Sequence, residues 1–71
     1  MSPVDLVTSM VNHTEILMQI GKNRYQIQIC EVGWEEGTGV HYVYKGKTRA
    51  GQTVTGFLNG KTYEATTSFQ K

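Results

Sequence analysis

The chain is 71 residues long, so it forms at most one domain, and with Cys30 as its only cysteine it cannot staple itself with a disulfide. Seven Lys and Arg against six Asp and Glu leave a net charge of +1, which excludes a uniformly basic or acidic surface. No run approaches the ~20 apolar residues of a membrane-spanning helix, and Cys30, His13 and His41 are too few soft ligands for a tetrahedral zinc site.

The charge is unevenly distributed. Residues 1–36 hold Lys22 and Arg24 against Asp5, Glu15, Glu31, Glu35 and Glu36, or −3; residues 37–71 hold Lys45, Lys47, Arg49, Lys61 and Lys71 against Glu64, or +4. The opening stretch MSPVDLVTSMVN contains Asp5 and no basic residue, which is unlike a signal or transit peptide. With a lone cysteine, this points to a reducing, cytoplasmic setting. A domain this small without disulfide or metal depends on tight packing or on oligomerisation.

Ser2-Pro3 reads as a helix start, with Ser as N-cap, Pro at the first helical position and Asp5 in the first turn. Val4, Val7 and Val11, with Leu6 and Met10, form an apolar stripe that predicts a helix over 3–12. Asn12-His13-Thr14 are weak helix formers, and residues 13–20 are compatible with helix or strand. Period-two alternation then predicts strands over 14–21 and 24–32, joined by a short Gly/Asn turn. Residues 33–39, GWEEGTG, read as a hinge that turns the chain.

A third strand is expected over 40–49, with Val40, Tyr42 and Tyr44 on one face and His41, Val43, Lys45 and Lys47 on the other. Further strands are expected over 52–58 and 61–69, joined at Asn59-Gly60 by a type I′ turn. Tyr63, Ala65, Thr67 and Phe69 share one face of the last strand, and Gly46 and Gly56 are candidate bend or bulge positions. The sequence therefore predicts a mainly β domain with one short N-terminal helix. Its five-stranded antiparallel meander would curl into a small SH3/Sm-like barrel or half-barrel. This order of elements is similar in architecture to Sm-like RNA-binding barrels; the resemblance is architectural and carries no functional residue onto this chain.

Catalysis has little support in the sequence. His13 is expected at a junction and His41 on a solvent-facing strand side; Cys30 reads as a small packed residue rather than a nucleophile. Glu35 and Glu36 point apart on an extended chain, and they would repel phosphate from the Gly-x-x-x-Gly-x-Gly spacing of GWEEGTG. Glu35, Glu36 and Thr38 are a poor oxygen set for calcium. The expectation is a non-enzymatic module without cofactor or metal.

The leading reading is a binding module acting through protein–protein contacts, as a homo-oligomer, with Trp34, Glu35 and Glu36 as the contact site. Part of the helix face Val4, Leu6, Val7, Met10, Val11 would cap the barrel and the rest would be free for a subunit interface. The alternative is a single-stranded RNA or DNA binder using Tyr42, Tyr44, Lys45, Lys47 and Arg49, although period two sends the tyrosines and the cations to opposite faces. A third reading is an oligomer that sequesters a small anionic ligand. Tryptophan is highly buried on average, which tips Trp34 toward plugging one end of the barrel rather than standing out as an anchor.

Overall fold

A computed structural model describes residues 2–36 and 40–70, with the side chains of Glu36 and Val40 outside the described set. Ser2 adopts an extended conformation (φ −100°, ψ 159°) ahead of α1, Pro3–Asn12, and the Asp5 carboxylate accepts the Ser2 backbone N–H at 3.0 Å. That bond satisfies one orphan donor and places a negative charge at the positive end of the helix. The helix stops at His13, whose left-handed backbone (φ 55°) turns the chain into β1, Glu15–Ile20. Residues 14–20 are thus not a continuation of the helix.

β2 (Asn23–Glu36), β3 (Val40–Thr48), β4 (Thr53–Asn59) and β5 (Ala65–Phe69) follow β1 in one five-stranded antiparallel sheet of order β1-β2-β3-β4-β5. The sheet curls into the expected half-barrel. Its concave side holds Met18, Ile27, Ile29, Tyr44, Val54 and Leu58, with Leu6 supplied by α1. These are the alternate positions of each strand, as period two requires.

The helix settles on this core by an unexpected face. Leu6 and Ser9 are buried and Met10 is partly buried, whereas Val4, Val7 and Val11 are exposed. The reason is a hydroxyl. Ser9 Oγ donates to the Thr14 carbonyl and accepts the Ile29 N–H at 3.2 Å. It thereby caps β2 just past the point where the β1 ladder ends, at Glu15–Gln28. A buried N–H left without a partner costs ~1–3 kcal/mol, so this contact sets the rotation of the helix.

Three other boundaries differ from the sequence reading. β2 runs on to Glu36, so Trp34 and Glu35 lie in a strand rather than a hinge; Gly37, Thr38 and Gly39 lie outside the described residues. The bulge falls in β2, where the register shifts between Ile29 and Glu31, leaving Cys30 as the extra residue. Cys30 is consequently exposed rather than packed. Finally, Asn59-Gly60 is not a type I′ turn, because Gly60 has no positive φ. Asn59 Oδ1 instead accepts the Lys61 and Thr62 N–H groups, and Tyr63 takes the left-handed position (φ 59°). The side-chain carboxamide imposes a longer Asx-type loop, so β5 begins at Ala65 rather than at 61.

Gly46 and Gly56 do not bulge; they make room. A Cβ on Gly56 would overlap the Thr66 carbonyl oxygen and stand 2.7 Å from the Tyr44 hydroxyl. The Tyr44 ring crosses over Gly56, its cross-strand partner, and its hydroxyl donates to the Thr66 carbonyl at 2.8 Å and bonds Thr67 Oγ1. Thr67 also meets Met18 Sδ at 3.6 Å, and Phe69 meets Tyr25 edge-on at 5.2 Å, so β5 is drawn toward β1.

Two predictions follow from this crossing. Gly56→Ala should destabilise by ~3 kcal/mol or more in urea titration. Gly21→Ala (φ 64°, nothing within 4 Å) should cost only ~1–2 kcal/mol of backbone strain; equal midpoints for the two would contradict the crossing. The second concerns pH. Burial pushes the Tyr44 phenol above its ordinary value, against a smaller opposing effect of the Thr67 hydrogen bond. A phenol raised on folding contributes its stability fully below the unfolded value of ~10 and loses it as pH climbs through the folded value. Urea midpoints should therefore hold steady up to about pH 9 and fall above ~10. Tyr44→Phe should lose ~1–3 kcal/mol at neutral pH and show a flatter alkaline limb.

Candidate functional site

Past the bulge, β2 outruns β1. Glu31 to Glu36 pair with β3 on one side, and no described strand pairs with the other. This arm presents two different faces. On the concave side Val32 sits across from Tyr44 and Trp34 across from Tyr42. On the convex side Glu31 faces Lys45, Gly33 faces Val43 and Glu35 faces His41.

Trp34 does not plug the barrel. It lies beyond the buried cluster, 52 % exposed, with its ring edge-on to Tyr42 at a centroid distance of 4.5 Å. Tyr42 beneath it is half-buried, so the pair forms a ledge at the rim of the core. An edge-to-face pair of this kind fixes ring orientation and contributes about 0.5–1.5 kcal/mol beyond its buried area.

The convex side carries a second apolar group. Val43 pairs with Phe57, which is 50 % exposed, and the His41 ring lies 5.8 Å from that of Phe57. His41 Nε2 is 3.1 Å from Glu35 Oε2. Gly33 leaves a gap in this surface, a shallow depression of about 470 Å³ bordered by Glu31, Val43, Lys45 and Thr55.

The residues singled out from sequence are thus divided. Trp34 and Glu35 occupy opposite faces of the arm, and Glu36 closes β2 opposite Val40 with its side chain outside the described set. Tyr44 is buried and Tyr42 lies under Trp34, both on the concave side. Lys45 is half-buried in mid-sheet between Glu31 and Thr55, and Lys47 is exposed beside Gln28 and Thr53. Arg49 holds Glu15, Nη2 to Oε1 at 2.9 Å. The bulge at Cys30 does not bring the tyrosines and the cations onto one face.

His13 Nδ1 accepts from Gln28 Nε2 at 3.2 Å, in a different part of the sheet from the His41–Glu35 pair. Among the described residues no three His, Cys, Asp or Glu side chains gather to hold a metal ion. Thr38 lies outside the described residues. No described helix is long and apolar enough to cross a membrane.

Sequence reasoning placed Val43 on the outer face with His41 but missed Phe57 and Leu17 as surface features. Their signal is in the alternation: Val54, Gly56 and Leu58 face inward, which turns Phe57 outward, and Met18 inward turns Leu17 outward, where it is 53 % exposed. No family model matches the chain, and no curated protein or solved structure matches it.

The half-exposed ledge predicts a contrast in stability. Trp34→Ala should cost only ~1 kcal/mol in urea titration, because much of the ring is already in water. Leu58→Ala, at a site with 0 % exposure, should cost ~2–5 kcal/mol. Comparable losses would place Trp34 in the core after all.

Proposed function

We propose that this chain is a non-catalytic docking module that binds protein surfaces through the β2–β3 arm. One observation carries the reading: the arm and its β4 neighbour show large apolar side chains on both faces, Trp34 on one and Val43 with Phe57 on the other. A strand pair with water on both sides has no folding reason to be apolar on both. Exposed aromatics grouped with a polar border are the usual composition of a contact patch. Trp34 is held by Tyr42, so it would enter an interface already oriented and lose little rotamer freedom there.

The single-strand nucleic-acid alternative has less support. Stacking surfaces and phosphate-binding cations need to share a face. Here the tyrosines face the core, Lys45 lies across from Glu31, and Arg49 is engaged by Glu15.

The test compares the wild-type chain with Trp34→Ala and Phe57→Ser, each first shown to keep its far-ultraviolet circular dichroism. Proteins retained from the host extract, further copies of the chain included, should be lost from one or both variants. Identical retained sets for all three chains, together with a light-scattering mass fixed at the monomer's 8.0 kDa, would overturn the proposal. So would tight, steeply salt-dependent binding of a single-stranded oligonucleotide that Lys47→Glu abolishes and Trp34→Ala leaves intact.

A further inference from the structure

We infer that the partner docks by adding a strand: an extended segment of another protein pairs with the outer edge of the β2 arm and seats a bulky apolar side chain over Gly33. The inference rests on the docking reading above and names the mode and chemistry of the contact.

The edge is the first observation. β1 and β5, the outer strands of the sheet, lean on each other across the open side of the half-barrel, Thr67 Oγ1 to Met18 Sδ at 3.6 Å. Where the β1 ladder ends, the Ser9 hydroxyl takes the Ile29 N–H. From Glu31 to Glu36, about 20 Å of strand, β2 pairs with β3 alone among the described residues. Every second residue of such an edge turns its N–H and C=O outward, and an extended backbone is the group that matches that row. Edges are ordinarily blunted by lysine or proline; neither occurs from Val32 to Glu36.

Gly33 is the second observation. The fold does not require glycine there. Its φ is not positive, and a Cβ would meet only the Val43 carbonyl oxygen, at an ordinary 3.8 Å. Gly46 and Gly56 differ, because a Cβ at either would strike the backbone of the neighbouring strand. A glycine inside a strand weakens it, and one that packing does not explain marks close approach by another group. The space it leaves is the depression bordered by Glu31, Val43, Lys45 and Thr55. A strand added outside β2 would set one residue opposite Gly33 on the convex side. A large side chain at that position lies across the glycine onto Val43. Its two neighbours in the added strand fall beside Val32 and Trp34 on the concave side. The recognised segment is an apolar run with a bulky residue at its centre.

A second copy offering the same arm does not meet this requirement. Antiparallel pairing of two arms about a two-fold axis keeps like faces together. The residue opposite Gly33 within the arm would then be Glu31, Gly33 or Glu35 of the copy. None of these fills an apolar gap, so the occupant is a strand of different sequence.

The experiment selects binders from a displayed library of random peptides about eight residues long. Selected peptides are then titrated while the emission of Trp34, the single tryptophan, is followed. They should share an apolar run with a bulky central residue, and binding should shift Trp34 emission to the blue. Replacing that central residue by alanine, or Gly33→Val in the chain, should weaken binding roughly ten-fold or more. Gly33→Val should meanwhile keep or raise the urea midpoint, because valine suits a strand and has room here. N-methylation of alternate peptide amides should abolish binding in one phase and spare it in the other, as a strand ladder requires. The inference is overturned by a library that yields no binder, by equal binding to Gly33→Val, or by equal tolerance of both methylation phases. A wild-type chain that dimerises without peptide, and is monomeric as Gly33→Val, overturns it in favour of a second copy. If it falls while Trp34→Ala or Phe57→Ser still loses proteins retained from the host extract, the docking reading stands and only strand addition is removed.

Discussion

The fold depends on the Tyr44 ring lying across Gly56. Five strands in so short a chain can close on a core only if the sheet bends sharply, and a bent sheet needs somewhere for its concave side chains to go. Tyr44 takes the space that a β4 side chain would fill, and its hydroxyl reaches the Thr66 carbonyl and Thr67 Oγ1 on β5. A strand is thereby tied to its second neighbour, which backbone ladders cannot do. Once β5 is drawn in, Thr67 meets Met18 and Phe69 meets Tyr25, and the open sheet becomes a half-barrel around Ile27, Val54 and Leu58.

Ser9 serves the same purpose at the other margin. The β1 ladder stops at Gln28, and the next inward N–H, that of Ile29, is taken by the Ser9 hydroxyl. The helix therefore continues the edge of the sheet with a side chain where a strand has ended. Neither tie involves a disulfide or a metal. Both put a polar group inside the domain at a point where every donor finds an acceptor, and among the described residues no buried side-chain N or O atom lacks a partner.

These ties explain what could be read from the sequence and what could not. Strand faces were legible, because alternation reports burial directly: Tyr44 in and Lys45 out, Ile27 in and Gln28 out. The helix was legible in extent but not in rotation. Its most regular apolar row, Val4, Val7 and Val11, faces water, since the packed face is chosen by a serine whose partner, Ile29, is twenty residues away. Gly33 and the two glutamates after Trp34 looked like a loop, yet β3 supplies a full ladder to Glu36, and pairing overrode composition. The candidate site was half legible for the same reason. Putting Trp34 in a strand separates it from Glu35, and it moves attention to Val43 and Phe57, which alternation had already turned outward.

A domain built from one curled sheet and one short helix has a single interior. Its concave side is covered by its own curl and by α1, and among the described residues no element covers the convex side. Most of that side is accordingly polar, with Gln26, Gln28, Thr53 and Thr55 in the positions that face water. Phe57, Val43 and Leu17 break the pattern at two separate places: Val43 lies between His41 and Lys45 on β3, and Leu17 between Glu15 and Gln19 on β1. Cutting the sequence at residue 36 splits its charge into −3 and +4, but that split is not the spatial one: Lys22 and Arg24, from the acidic half of the sequence, join Lys47 and Arg49 in space. The meander brings cations from β2 and β3 to one end, while the β4–β5 loop sets Lys61 at the same end as Glu35, so the charge distribution of the molecule arises from its topology.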